Sequence, residues 1–261
     1  MIESEQESGD PAAIQAAQED EYRFPYHYVT SFSPEPFRQH FVDTWGINYA
    51  STIELVIERI RTGNPRSLID IGCGDGRLTR EIGRRTSIPK ICGVDTSARA
   101  IALAQAMNRD LPLIEFARAD ITERPPLGRF DAAVLMEVFE HIPPDRGQHF
   151  LSGARALLND GGRLHVTVPH SNKPVEYKHF RHFTVASITA CLEQDFEIVE
   201  VLPFERRGAL RKLLDTALCN RLFVLNNQRL LEALYRLHRR HLFECDSEAD
   251  CQRLYVQAVA R

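Results

Sequence analysis

The feature that most constrains this chain is a glycine cluster set between two kinds of apolar pattern. Ser67–Ile71 is a short apolar run broken only by Asp70, Gly72-Cys73-Gly74-Asp75-Gly76 follows, and Arg77–Arg85 reads as a helix. A strand that ends on glycines and feeds a helix brings backbone N–H groups to one sheet edge, where a ligand can approach without meeting side chains. The alternation continues. Ile91–Val94 is closed by Asp95, Thr96 and Ser97 can cap a helix over Ala98–Met107, and Leu113–Phe116 and Phe130–Leu135 read as third and fourth strands. A helix over Arg146–Leu158 ends at Asn159-Asp160-Gly161-Gly162, which suits a left-handed C-cap, and Arg163–Val168 is a fifth strand. Short buried strands alternating with helices predict an α/β fold with a doubly wound, mostly parallel sheet.

The flanks read differently. Residues 1–20 are polar and are expected to form a disordered tail; 21–64 form an N-terminal helical or lid segment, in which Tyr26-His27-Tyr28 either closes over a ligand or packs the first helix. The α/β domain is expected over 65–261. After a polar, histidine-rich loop at Pro169–Phe183 come a sixth strand, Phe196–Leu202, and a last strand, Leu254–Val259. The stretch 205–250 between them, rich in Leu and Arg, is too long for a hairpin and predicts a helical cap. Its basic residues, among them Arg206, Arg207, Arg211, Lys212, Arg236, Arg239 and Arg240, fit a lipid head group, a phosphorylated carrier or RNA, or simply a solvated helix face. A formal net charge of −4 removes the global signature of a nucleic-acid binder. Neither a membrane-length apolar run nor an N-terminal h-region is present, and six cysteines lie scattered without a CxxC pair. The expectation is a cytoplasmic protein without a zinc site or disulfide framework.

Three acids define what the glycine loop would hold. Asp95, 19 residues after Gly76, can accept both hydroxyls of a ribose; Asp120 can bond the exocyclic amine of an adenine; Asp70 suits a cationic amino-acid group. A dinucleotide fingerprint needs a third glycine where Arg77 stands, which argues against a nicotinamide oxidoreductase. The set describes a nucleoside carrying an amino acid. The segments SLIDIGCGDGRLTREI, GVDTSARAIALA, ARADI, FDAAVLMEVFEHI and LLNDGGRLHVTVP resemble, in order, the motifs of class I S-adenosylmethionine-dependent methyltransferases, over Ser67–Pro169. The resemblance implies a Rossmann-like seven-stranded sheet with an antiparallel last strand, and S-adenosylmethionine across the carboxyl ends of the first strands. By position it implies that Gly72, Cys73 and Gly74, with Asp70, cradle the donor; that Asp95 and Thr96 hold the ribose; that Asp120 and Ile121 flank the adenine; and that Glu137 lies beside the methyl group.

Methyl transfer is an in-line displacement at a sulfonium carbon, so the protein must orient and deprotonate the acceptor. Glu137-Val138-Phe139-Glu140-His141 places two carboxylates and an imidazole past the fourth strand, and Lys178-His179-Phe180-Arg181-His182-Phe183 adds two histidines. Glu137, Glu140, His141 and His182, with His179 as the alternative, make a mixed oxygen and nitrogen set for Mg²⁺ or another divalent cation. The spacing is similar to that of Hen1-type small-RNA 2′-O-methyltransferases and of ubiquinone-pathway O-methyltransferases, which implies an ion near the acceptor hydroxyl. Arg181 stands where the Hen1-type pattern has an aspartate. The metal-free reading leaves His141 or His182 as a general base and Glu140 bonded to backbone. KHFRHFT resembles a feature of methyltransferases from polysaccharide and secondary-metabolite pathways. That implies O-methylation of a glycan, nucleotide-sugar or natural-product hydroxyl, ahead of a quinone-pathway phenol or an RNA 2′-hydroxyl. The non-enzyme alternative, a binding protein on a degenerate methyltransferase fold, sits poorly with the intact glycine loop, Asp95 and Asp120.

Overall fold

The computed structural model describes residues 11–20, 44–123, 125–218 and 227–261. Two helices, α1 (Pro11–Asp20) and α2 (Thr44–Gly63), precede β1 (Ser67–Ile71), α3 (Arg77–Arg85), β2 (Lys90–Asp95), α4 (Ala98–Met107), β3 (Ile114–Arg118) and β4 (Phe130–Met136). Then come α5 (Gly147–Ala156), β5 (Leu158–Pro169), α6 (Val185–Leu192), β6 (Phe196–Arg206), α7 (Ala209–Leu218), α8 (Gln228–His238) and β7 (Cys251–Ala260). The strands form one sheet in the order β3-β2-β1-β4-β5-β7-β6. Strands β1 to β5 pair in parallel, and β7 runs antiparallel to both β5 and β6. This is the seven-stranded architecture the sequence predicts.

The spans of β1, α3 and α4 coincide with those read from the sequence, because each is bounded by a local signal. Ser97 caps α4 by accepting from the Ala100 amide at 3.2 Å. Alternation along β1 sends Leu68 into the layer formed with Ile53, Val56, Ile57 and Ile82, and Ile69 into the opposite layer with Leu135, Val166 and Leu151. Both faces of the sheet are therefore covered, as a parallel sheet requires.

Two expectations are corrected. The fifth helix stops at Ala156, and β5 begins at Leu158 and runs through the glycine pair. Gly161, at φ +72°, makes a register slip against β4 between the Phe130–Leu158 and Ala132–Arg163 pairs, so it bends a strand instead of capping a helix. The expected tail contains a helix: α1 spans Pro11–Asp20 and buries Ile14, while Glu19 lies 3.6 Å from Arg99. Tyr26-His27-Tyr28 lies outside the described residues.

The insertion between β6 and β7 is helical, as expected, and it seats on α2. Tyr235 donates to Glu54 at 2.6 Å, and Arg239 lies 3.6 Å from Glu54 and 3.3 Å from Glu58. Phe243, fully buried, packs with Leu55, Phe204 and Tyr255 and anchors the returning chain. Because β6 leaves the sheet and β7 re-enters it at the Arg206–Cys251 pair, the insertion springs from the edge where the parallel strands end. Among the described residues no helix is long and apolar enough to cross a membrane. Phe243→Ala should cost about 3–5 kcal/mol in urea unfolding; a loss under about 1 kcal/mol would show that this anchor does not hold the insertion.

Candidate active site

The loop after β1 is pinned to β2. The amides of Gly72 and Cys73 both donate to the Val94 carbonyl, at 2.8 and 3.0 Å, and the Gly74 amide donates to Asp95 at 3.1 Å. Gly72, Gly74 and Gly76 all have positive φ, the backbone that glycine adopts at least cost. The Ser97 amide donates to the second oxygen of Asp95 at 2.8 Å, so the carboxylate is fixed from two sides. Burial lifts its pKa above the ordinary aspartate value, against the pull of those amides. Gly72, Asp95, Thr96, Asp120 and Ile121 line one cleft of about 100 Å³, joined by Val138 and His141 from the chain after β4. Gln15, Gln18 and Glu19 of α1 close its other side, which nothing in their sequence announced.

Four of the expected donor residues stand apart from the cleft. Asp70 is buried behind the loop and accepts from the Thr79 hydroxyl at 2.6 Å; burial pushes its carboxyl up to about 7. Cys73 packs inward, and burial raises its thiol far above the ordinary range. Neither lines the cleft, nor do Gly74 and Glu137. Any part Asp70 and Cys73 play in ligand binding is through the shape of the loop.

The second half of the site forms where the chain leaves β4. Glu140 is fully buried, and neither of its carboxylate oxygens has a hydrogen-bond partner. Burial first, and the nearby Glu137 second, hold its pKa well above the usual carboxylate range. One ligand atom each from Glu140, His141 and His179 lie within 4.8 Å of one another. The loop after β5 is held there by its backbone, since the Phe180 amide donates to the Glu140 carbonyl at 2.9 Å. Nδ1 of His141 sits 3.0 Å from the Lys178 carbonyl, and Nδ1 of His179 sits 2.8 Å from Nε2 of His182. Burial lowers the His179 pKa to about 3, so its ring is neutral at physiological pH.

The expected cluster is thus partly redrawn. His179 takes the place given to His182, which stands behind it and faces the Lys173 carbonyl at 3.1 Å through its own Nδ1. Glu137 leaves the cluster. Its carboxylate accepts from Arg253 at 2.8 Å and from Thr167 at 3.0 Å. Burial would raise its pKa, but the Arg253 guanidinium outweighs that and keeps it below the ordinary value. Arg253 also bonds Glu205, which Asn48 and Arg211 hold at 2.9 and 3.3 Å, so a buried polar chain runs from the site edge into the insertion. Glu137 and Glu205 both adopt positive φ. Sequence reading missed Arg253, Glu205 and Thr167 because strand partners from distant segments leave no local spacing signal. Arg181 has a packing role, its guanidinium lying 4.9 and 5.0 Å from the Phe139 and Phe183 ring centres.

Residues 69–164 match the family described as "Methyltransferase domain", and over this stretch the chain is similar to known methyltransferases. It is 35% identical over 106 residues to a ubiquinone biosynthesis O-methyltransferase of Rhodopseudomonas palustris, a match covering 40% of each chain. The chain therefore matches about two fifths of that curated relative's length. The N-methyltransferase NodS of Bradyrhizobium japonicum, solved with S-adenosyl-L-homocysteine, superposes with a TM-score of 0.55 at 15% identity, covering 81% of this chain and 86% of its own. The methyltransferase domain of bacterial CtHen1 gives 0.57 at 16% identity, covering 82% and 99%. At such identities these two likenesses speak for the fold alone.

The buried acid behind the loop makes a pH prediction. Folding raises the Asp70 pKa from 3.8 to about 7, so the folded state binds the proton more tightly and this stabilisation is lost as pH rises from about 4 through 7. Asp70→Asn, which can still accept from Thr79, should gain stability relative to the wild type across that window, by on the order of a few kcal/mol. Parallel stability curves for the two proteins would contradict it.

Proposed function

We propose that the protein transfers the methyl group of S-adenosylmethionine to a hydroxyl oxygen of a small acceptor, of the glycan, nucleotide-sugar or natural-product kind. The observation that carries the oxygen assignment is Glu140: a fully buried carboxyl with two unpartnered oxygens, grouped with His141 and His179. A neutral amine needs little help to attack a sulfonium carbon, whereas a hydroxyl needs its proton removed or its alkoxide stabilised. His141 lines the donor cleft as well as belonging to this group, so the two halves of the reaction share a wall.

The donor set fits a hard divalent cation. One carboxylate and two imidazoles are suitable ligands; a cation would offset the cost of burying an ionised Glu140, and burial already holds His179 in the neutral form that ligates. Glu140, His141 and His179 would hold it, and the backbone carbonyl on His141 together with His182 on His179 would orient the rings. When bound, such an ion lowers the pKa of a coordinated hydroxyl. The chain's own part is to fix Asp95 and Asp120 along the donor and to keep Glu137 charged and paired with Arg253 at the acceptor side. His179, with a pKa near 3, is a poor general base at neutral pH, which favours the ligand role over the base role. A quinone-pathway phenol is the second reading of the acceptor, favoured by the 35% identity to the ubiquinone enzyme.

S-adenosyl-L-homocysteine should bind in calorimetry and NADH should not. Gly74→Val should abolish that binding, because a β-branched residue is strained at φ +54°. Tight NADH binding without the sulfur ligand would overturn the donor assignment. For the acceptor side, Mn²⁺ should bind the wild type but not Glu140→Gln or His179→Ala, and these variants should keep homocysteine-ligand affinity. Methyl transfer to a panel of hydroxylated acceptors should fall on the order of a hundredfold in EDTA; full activity in EDTA would remove the ion and leave His141 or His182 as the base.

A further inference from the structure

The helical insertion has a surface that neither the sheet nor the proposed chemistry uses. Helix α7 buries Leu214 together with Arg211, which bonds Asn48, Glu205 and Asp215, yet it exposes Leu210 and Leu213, the latter at 66%. Helix α8 exposes Leu230 and Leu237, two turns apart, while Arg229, Arg236 and Arg240 are exposed beside them. Ordinary surface helices turn their leucines inward. Here four leucines face solvent among cations.

The charge is segregated too. Residues 206–243 contain nine Arg and Lys against two acids, Asp215 and Glu232, in a chain whose net charge is −4. Among the described residues Arg207, Lys212, Arg229, Arg236 and Arg240 make no ion pair, while Arg206, Arg211 and Arg239 of the same segment do. The two acids of the segment are already engaged, Asp215 by Arg211 and Glu232 by Gln228. Among the described residues of the insertion no acid pairs with these outer cations.

We infer that α7 and α8 dock this protein on an anionic lipid surface, with the leucines entering the interface and the arginines meeting the head groups. Each feature matches a different part of that partner: apolar side chains need a phase to enter, and unpaired cations need fixed negative charge. A second copy of the chain fits poorly, because isologous pairing would bring the same cations face to face. A nucleic-acid backbone would satisfy the cations and leave the leucines in water. The inference stands on this surface alone and does not depend on the donor or acceptor chemistry.

Flotation with vesicles tests it. The full chain should float with phosphatidylcholine vesicles containing about one third phosphatidylglycerol and remain behind with phosphatidylcholine alone, and raised salt should release it. The triple variant R229E/R236E/R240E and the double variant L210S/L213S should each weaken partitioning by about tenfold or more. Both variants should keep the wild-type far-ultraviolet spectrum and a cooperative urea transition, so that lost flotation is lost docking. Several outcomes overturn the inference: no flotation with the anionic vesicles, flotation that ignores both variants, a dimer in light scattering that L210S/L213S dissolves while vesicle binding is absent, or binding to a single-stranded oligonucleotide in place of vesicles.

Discussion

The site depends on how closely the loop after β1 approaches the chain leaving β4. A Cβ built on Gly72 would lie 2.6 Å from a methyl carbon of Val138, a distance that no packed side chain tolerates. Gly72 also sits at φ +73° with its amide bonded to Val94. Glycine at this position therefore sets the spacing between β1, β2 and β4 at their carboxyl ends. Val138 and His141 can then stand in the same wall as Asp95 and Asp120, and Glu140 is drawn into the interior beside them.

Electrostatics follows from that packing. Three carboxyls lie near the edge and each is handled differently. Asp95 accepts from two amides, Glu137 pairs with a guanidinium, and the Glu140 oxygens have no hydrogen-bond partner. Two unpartnered like charges so near would be costly; the Arg253 guanidinium holds the Glu137 pKa below its ordinary value, while burial and the nearby Glu137 hold that of Glu140 well above it. Arg253 extends the order outward, since the guanidinium that pairs Glu137 also bonds Glu205 at the root of the insertion. Changes in the insertion are thereby tied to the acceptor side of the site.

Much of this was legible in the residues. The parallel sheet, the glycine loop and the acid closing β2 rest on local signals: strand-length apolar runs, glycines at a strand end, a Ser97 cap. The ExxEH and HxxH segments were visible as chemistry. What the sequence did not reveal was which imidazole faces Glu140, because that depends on how the loop after β5 is tied back by the Phe180 amide. Arg253 was hidden for a related reason, lying 116 residues from the glutamate it pairs. Gly161 misled because a left-handed glycine serves a helix cap and a strand bulge equally well.

Glu140, His141 and His179 each bring a ligand atom within 4.8 Å of the others, and His141 also lines the cleft that holds Asp95. Anomalous diffraction from crystals grown with Mn²⁺ and S-adenosyl-L-homocysteine tests both halves at once. The account predicts an anomalous peak bound by the Glu140 carboxylate and the rings of His141 and His179, with the ligand's ribose on Asp95. Ligand density on Asp95 with no anomalous peak, and the Glu140 carboxyl turned to bond backbone, would contradict it.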